Sequence, residues 1–111
     1  METIGSEIDP KAQLTQDAWI GDAVLSLYAR SKILREDGAL DGPKSVRMTS
    51  NRFLSALGEP TKVEAEVGRI YAREGLHAAF RWIEERLMPL FDRQELNRRR
   101  KGRDGLKRFH H

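Results

Sequence analysis

Apolar residues recur at spacings of three and four along nearly the whole chain, and no segment alternates over a strand's length, so the pattern predicts helices throughout. Leu14, Ala18, Gly21, Leu25 and Tyr28 form one stripe of a first helix, which Gly38 and Gly42-Pro43 end. Pro43 suits the first turn of a second helix, with Val46, Phe53, Leu54 and Leu57 on its buried side. Gly58-Glu59-Pro60 stops that helix and starts a third, because a proline in the first turn lacks only an N–H that would have no partner there. The third helix turns Val63, Val67 and Ile70 inward and stops near Gly75. Leu76, Ala79, Phe80, Ile83, Leu87 and Leu90 keep helical spacing in a fourth, whose end Pro89 limits. A charged tail begins at Asp92, helical through Arg100 and disordered after Gly102. There is no internal repeat, and the division expected is a folded body over residues 1–97 and a basic tail over 98–111.

Within the first stripe, Ala18-Trp19-Ile20-Gly21-Asp22-Ala23-Val24-Leu25 sets one carboxylate beside a glycine in an otherwise apolar run. A charge in such a neighbourhood is costly unless something pairs with it, and a hydrated divalent cation is one solution. The third helix repeats the arrangement, with Glu64 one turn before Gly68. Two helices crossing at their glycines would bring Asp22 and Glu64 together. The bland alternative for Asp22 is an ion pair with an arginine such as Arg69.

These residues carry a resemblance. Ile20-Gly21-Asp22-Ala23-Val24-Leu25 resembles the signature of the ribonuclease III family, and Glu64-Ala65-Glu66-Val67-Gly68-Arg69-Ile70-Tyr71 resembles its second acidic helix. Ser50-Asn51-Arg52-Phe53-Leu54, Glu74-Gly75-Leu76, Ala78-Ala79-Phe80 and Leu87-Met88-Pro89-Leu90 extend the likeness over most of residues 14–91 in the family's order. Full ribonuclease III enzymes carry acids where this chain has Ala18 and Thr61; those substitutions, with Trp19-Ile20 and Tyr28-Ala29-Arg30, resemble the compact branch called Mini-ribonuclease III. The chain departs from both branches in a shorter segment between Asp22 and Glu64, and in Glu66 and Arg69 where the family is apolar or small.

The resemblance implies an all-α ribonuclease III-like endonuclease domain forming a two-fold homodimer, in which the signature helices meet across the axis. It implies a Mg²⁺-dependent endoribonuclease, with Mn²⁺ as a substitute, that cuts double-stranded or structured RNA and trims ribosomal RNA precursors. Asp22 and Glu64 would be catalytic metal ligands, since Mg²⁺ favours carboxylate and water oxygens. Thr61 would hold a metal-bound water and Asp17 would act from behind. A rival is a non-catalytic member of the same fold that binds RNA or a ribosomal assembly; Glu66, Arg69 and the short middle favour it, and retention of both acids opposes it. An unrelated helical DNA-binding protein ranks below both, as no helix-turn-helix spacing is present.

Composition changes this picture in a few places. The chain has 111 residues and no cysteine, which excludes disulfides and thiolate metal sites. A domain this small is near the size where oligomerisation helps burial. Met1 to Gln13 is polar and no run approaches a membrane span, so the expected setting is cytoplasmic with no membrane partner. The net charge of +3 is uneven: residues 98–111 carry +6, from Arg98, Arg99, Arg100, Lys101, Arg103, Lys107 and Arg108 against Asp104, which leaves −3 on the rest. That tail, together with Lys44, Arg47 and Arg52, is a set of candidate RNA phosphate contacts, the alternative being solvated surface. Trp19 and Trp82 are expected at the core or dimer interface in preference to stacking on bases, and His77 has no second histidine at metal-ligand spacing.

Overall fold

The computed structural model describes residues 9–109, with side chains for residues 9–102, and is all-helical with no strand among them. Helix α1 spans Pro10–Asp37, with proline in its first turn. It ends at Gly38, whose φ of 73° lies in the left-handed region and whose N–H donates to the Leu34 carbonyl. Two short helices follow, α2 over Gly42–Thr49 and α3 over Asn51–Leu54. Asp41 opens α2 by accepting the Lys44 amide at 3.0 Å.

The single second helix expected from Pro43 to Leu57 is thus broken in two. Ser50 is extended (φ −74°, ψ 153°), and its hydroxyl accepts the Phe53 amide at 3.1 Å, so a serine cap competes successfully with continuation of the helix. The break also re-aims the side chains. Val46, expected inside, is 65% exposed, while Met48, Phe53 and Leu54 are buried.

Helix α4 spans Pro60–Glu74 and α5 spans Leu76–Arg86, joined at Gly75, whose φ of 95° favours glycine. Helix α6 covers Met88–Phe109. Pro89 therefore sits in the first turn of a new helix and does not terminate the previous one; Leu90 belongs to α6, and the helical backbone continues past Gly102 to Phe109.

The main packing is α1 against α4, with α5 and the start of α6 closing the core. Leu25, Met48, Phe53, Leu54, Val67, Ile83 and Leu87 are the largest fully buried side chains. Two edge-to-face aromatic pairs brace it, Tyr28 on Phe80 at 5.2 Å and Phe53 on Phe91 at 5.5 Å. The second pair fixes the root of α6 on α3. Trp82 is partly buried against the core under the Arg86 guanidinium, whereas Trp19 is 77% exposed. None of the helices described is long and apolar enough to cross a membrane.

Candidate functional site: a carboxylate pair at a glycine crossing

Gly21 and Gly68 let α1 and α4 meet backbone to backbone. A Cβ built on Gly21 would lie 1.7 Å from the Glu64 carbonyl oxygen, and one on Gly68 would lie 2.0 Å from the Asp17 carbonyl oxygen. Those atoms belong to helix backbone and cannot rotate aside, so only glycine permits this approach.

The crossing sets the side chains that follow it. Asp22 and Glu64 come close enough for their carboxyl groups to share a proton, and the Glu64 pKa rises from 4.5 to about 7. Burial is the largest cause, followed by hydrogen bonding to Asp22, the Asp22 charge and then the Glu59 charge. Asp22 is exposed and Glu64 half-buried, so the pair opens to solvent at the seam between α1 and α4. Two carboxylates held together in this way form a locus of negative charge that a cation relieves.

Arg69 does not supply that relief. Its Nε donates to Asp17 at 3.3 Å and its Nη1 to Glu66 at 3.4 Å, so the ion pair considered for Asp22 is formed by Asp17 instead. Asp17 also accepts from the Gln13 side-chain amide at 2.9 Å, which commits its carboxylate to α1 and Arg69. Thr61 lies half-buried one turn before Glu64. Its amide and that of Lys62 are both taken by the Glu59 carboxylate at 3.1 Å.

Glu59 is the residue that sequence reasoning passed over. Read only as part of a helix break, it caps α4 and adds to the field on Glu64. The available signal was an acid directly before a proline at a helix start, which is a capping position.

The residues fit a hard divalent cation sparsely. Among the described residues no three His, Cys, Asp or Glu side chains converge on one metal position. A cation held by Asp22 and Glu64 alone would need water for the rest of its shell, a coordination that Mg²⁺ accepts because it dehydrates reluctantly.

The candidate phosphate contacts separate into two groups. Lys44 pairs with Asp37 at 2.9 Å, and Arg47 makes a two-pronged contact with Glu95, Nε to Oε2 at 2.9 Å and Nη2 to Oε1 at 3.0 Å. Arg52, Arg98, Arg99, Arg100 and Lys101 are exposed and in no ion pair among the described residues. Arg103, Lys107 and Arg108 lie beyond the described side chains. A second exposed feature is apolar: Ile20, Leu27 and Leu34 recur every seven residues along α1, with Trp19 beside them, and none is covered.

Comparison with known proteins adds no relative: no family model, no curated protein and no solved structure matches the chain.

Proposed function

We propose that the protein is a Mg²⁺-dependent endoribonuclease of the ribonuclease III type, nearest the Mini-ribonuclease III branch, acting on double-stranded or structured RNA as a homodimer. The observation that carries this reading is the paired-glycine crossing, which holds Asp22 beside Glu64 and raises the Glu64 pKa to about 7. A purely structural role leaves that arrangement without a purpose, since it places two acids together at a cost and the nearby arginine is engaged elsewhere.

In this reading Asp22 and Glu64 hold the cation, and Thr61 orients water beside them. When bound, the cation supplies charge neutralisation at the phosphodiester and a lowered pKa for attacking water. The chain's own contribution is to fix the two carboxylates on opposed backbones whose spacing the glycines set, so that little reorganisation is needed on substrate binding. With only two carboxylates to offer, Asp22 and Glu64 would hold a metal weakly in the absence of RNA.

The uncovered α1 stripe supports the dimer. Trp19 at 77% and Leu34 at 50% exposure are costly on an isolated small domain, and a second copy of α1 is a self-complementary cover. Two sites related by that axis would cut both strands.

The rival reading, an RNA-binding or ribosome-assembly protein without catalysis, draws support from the two-ligand donor set and from the Asp17–Arg69–Glu66 cluster, which occupies surface beside the acids. The deciding experiment is incubation of the protein with double-stranded RNA and Mg²⁺, then with a chelator. Cleavage that stops with the chelator supports the enzyme; binding without cleavage at any Mg²⁺ or Mn²⁺ concentration supports the rival.

A further inference from the structure

The root of α6 and the α2–α3 turn border a groove of about 530 Å³ whose lining includes neither Asp22 nor Glu64. Its floor is the Phe53–Phe91 pair and its walls carry Arg52 from α3, and Arg98 and Lys101 from α6. At its edge Arg47 and Glu95 neutralise each other and tie α6 to α2.

The inner face of α6 changes character along its length. Phe91 faces the core, Gln94 and Glu95 follow, and one and two turns further on Arg98 and Lys101 stand where an apolar helix face would continue. Arg52 lies on the opposite wall. Glu95 is the sole carboxylate in the lining and it is already paired, so three cations share one groove with no counter-charge among the described residues. Like charges gathered in this way repel, and an anion between them removes the repulsion.

We infer that this groove is the seat of an RNA phosphodiester backbone, with Arg52, Arg98 and Lys101 as its phosphate contacts and the Arg47–Glu95 pair as the brace that holds the two walls in register. The inference rests on the reading of the protein as one that acts on double-stranded RNA, and specifies where the duplex lies. Several features favour a nucleic-acid backbone over an acidic peptide. Ser50, Gln94 and Asn97 add neutral donors of the kind that contact phosphate and 2′-hydroxyl oxygens. The apolar residues lie on the floor and not at the rim, which leaves no rim pocket for peptide side chains. Arg98 and Lys101 stand about one helical turn apart on α6, so both can meet one phosphate backbone running along the helix.

The test measures binding of a fluorophore-labelled blunt RNA duplex to the full chain in EDTA, where cleavage is silent, as a function of salt. The groove variant is Arg52→Gln, Arg98→Gln, Lys101→Gln; the charge-matched control is Arg35→Gln, Arg73→Gln, Arg81→Gln, all exposed and outside the groove. Thermal melts establish that both remain folded. With three phosphate contacts removed, the slope of log affinity against log salt should become shallower by roughly 2 to 3 in the groove variant, at roughly 0.9 per contact, and change little in the control. An unchanged slope in the groove variant, or an equal change in the control, overturns the proposal. So does groove-dependent binding of a polyglutamate peptide with no groove-dependent binding of duplex. The two readings fail separately: a protein that cleaves RNA with unaltered groove-variant binding retires the groove and keeps the nuclease, while one that binds duplex through the groove and cleaves nothing retires the nuclease and keeps the groove. A wild-type protein that neither binds nor cleaves the duplex retires both.

Discussion

Gly21→Ala puts the paired-glycine crossing to a test of sign. In the middle of a 28-residue helix, exchange of glycine for alanine is intrinsically favourable by about 1 kcal/mol, because alanine loses less backbone freedom. Against that stands the Cβ position 1.7 Å from the Glu64 carbonyl oxygen and 2.9 Å from the Gly68 nitrogen. Ordinary contact begins at 3.4 Å, so α1 and α4 must part locally by about 1.7 Å. The obstructing oxygen belongs to the α4 backbone and accepts the amide four residues on, which leaves no side chain to swing away. Parting the helices also loosens Leu25 and Val67, both fully buried beside the contact. Overpacking of this kind costs about 3 kcal/mol or more, so the net destabilisation is about 2 kcal/mol. For a domain near 100 residues that lowers the melting temperature by about 8–15 °C. The assay is thermal unfolding followed by circular dichroism at fixed protein concentration, with Gly102→Ala as control, since a Cβ there meets nothing within 4 Å. The control should melt at or slightly above the wild-type temperature. A Gly21→Ala protein that does the same would show that no tight crossing exists, and with it would go the reason for Asp22 and Glu64 to meet.

Other expectations follow from the same geometry. Asp22→Asn and Glu64→Gln should each abolish Mg²⁺-dependent cleavage with the helical spectrum unchanged, as each removes a ligand charge and keeps side-chain shape; full activity in either variant removes the metal site. The Glu64 pKa of about 7 lies above its ordinary 4.5, so the native state holds this proton more tightly than the unfolded chain and the associated stability, present below pH 4.5, is lost as pH rises through about 7. For a half-buried group this amounts to about 1 kcal/mol after solvent screening. Chemical denaturation from pH 5 to 8 should show that decline in wild type and not in Glu64→Gln; identical profiles would contradict the assignment. Mg²⁺ should raise the melting temperature at pH 8, above the Glu64 pKa of about 7, and leave it unchanged at pH 5, where Glu64 holds its proton; equal shifts at the two pH values would place the cation elsewhere. Sedimentation at micromolar concentration should show a dimer that Trp19→Glu dissociates, and a wild-type monomer would eliminate paired cleavage of the two strands.

How much of this was legible in the sequence depends on the range of the physics involved. The Asp22–Glu64 juxtaposition could be read in advance because it needs only local information: an acid and a glycine on each of two helices, with a backbone approach that a single missing Cβ decides. The break at Ser50 could not, because helical periodicity continues through it and the outcome turns on one serine hydroxyl competing for one amide. Pro89 misled for a related reason. A proline that limits one helix is equally fit to open another, and the choice was made by the packing of Leu87, Met88 and Phe91 into the core.

Charged residues were the least legible class, because their roles are set by partners distant in sequence. Lys44, Arg47 and Arg52 look alike on paper, yet the first meets Asp37, the second meets Glu95 across 48 positions, and the third meets no carboxylate among the described residues. The pairing that removes Arg47 from the set of free cations also docks α6, and so places Arg98 and Lys101 opposite Arg52. A salt bridge of this sort is worth little as stability, since Arg47 and Glu95 are both partly solvated. Its consequence is positional. If the brace holds the two walls in register, Glu95→Ala should leave the melting temperature within a few degrees of wild type, because a partly solvated pair contributes about 1 kcal/mol. It should nevertheless weaken duplex binding severalfold even though it removes a negative charge from a cationic groove. Simple electrostatics predicts the opposite sign, tighter binding on loss of an acid. Tighter binding by Glu95→Ala would therefore show that α6 holds its place without the brace, and that the groove works by charge alone.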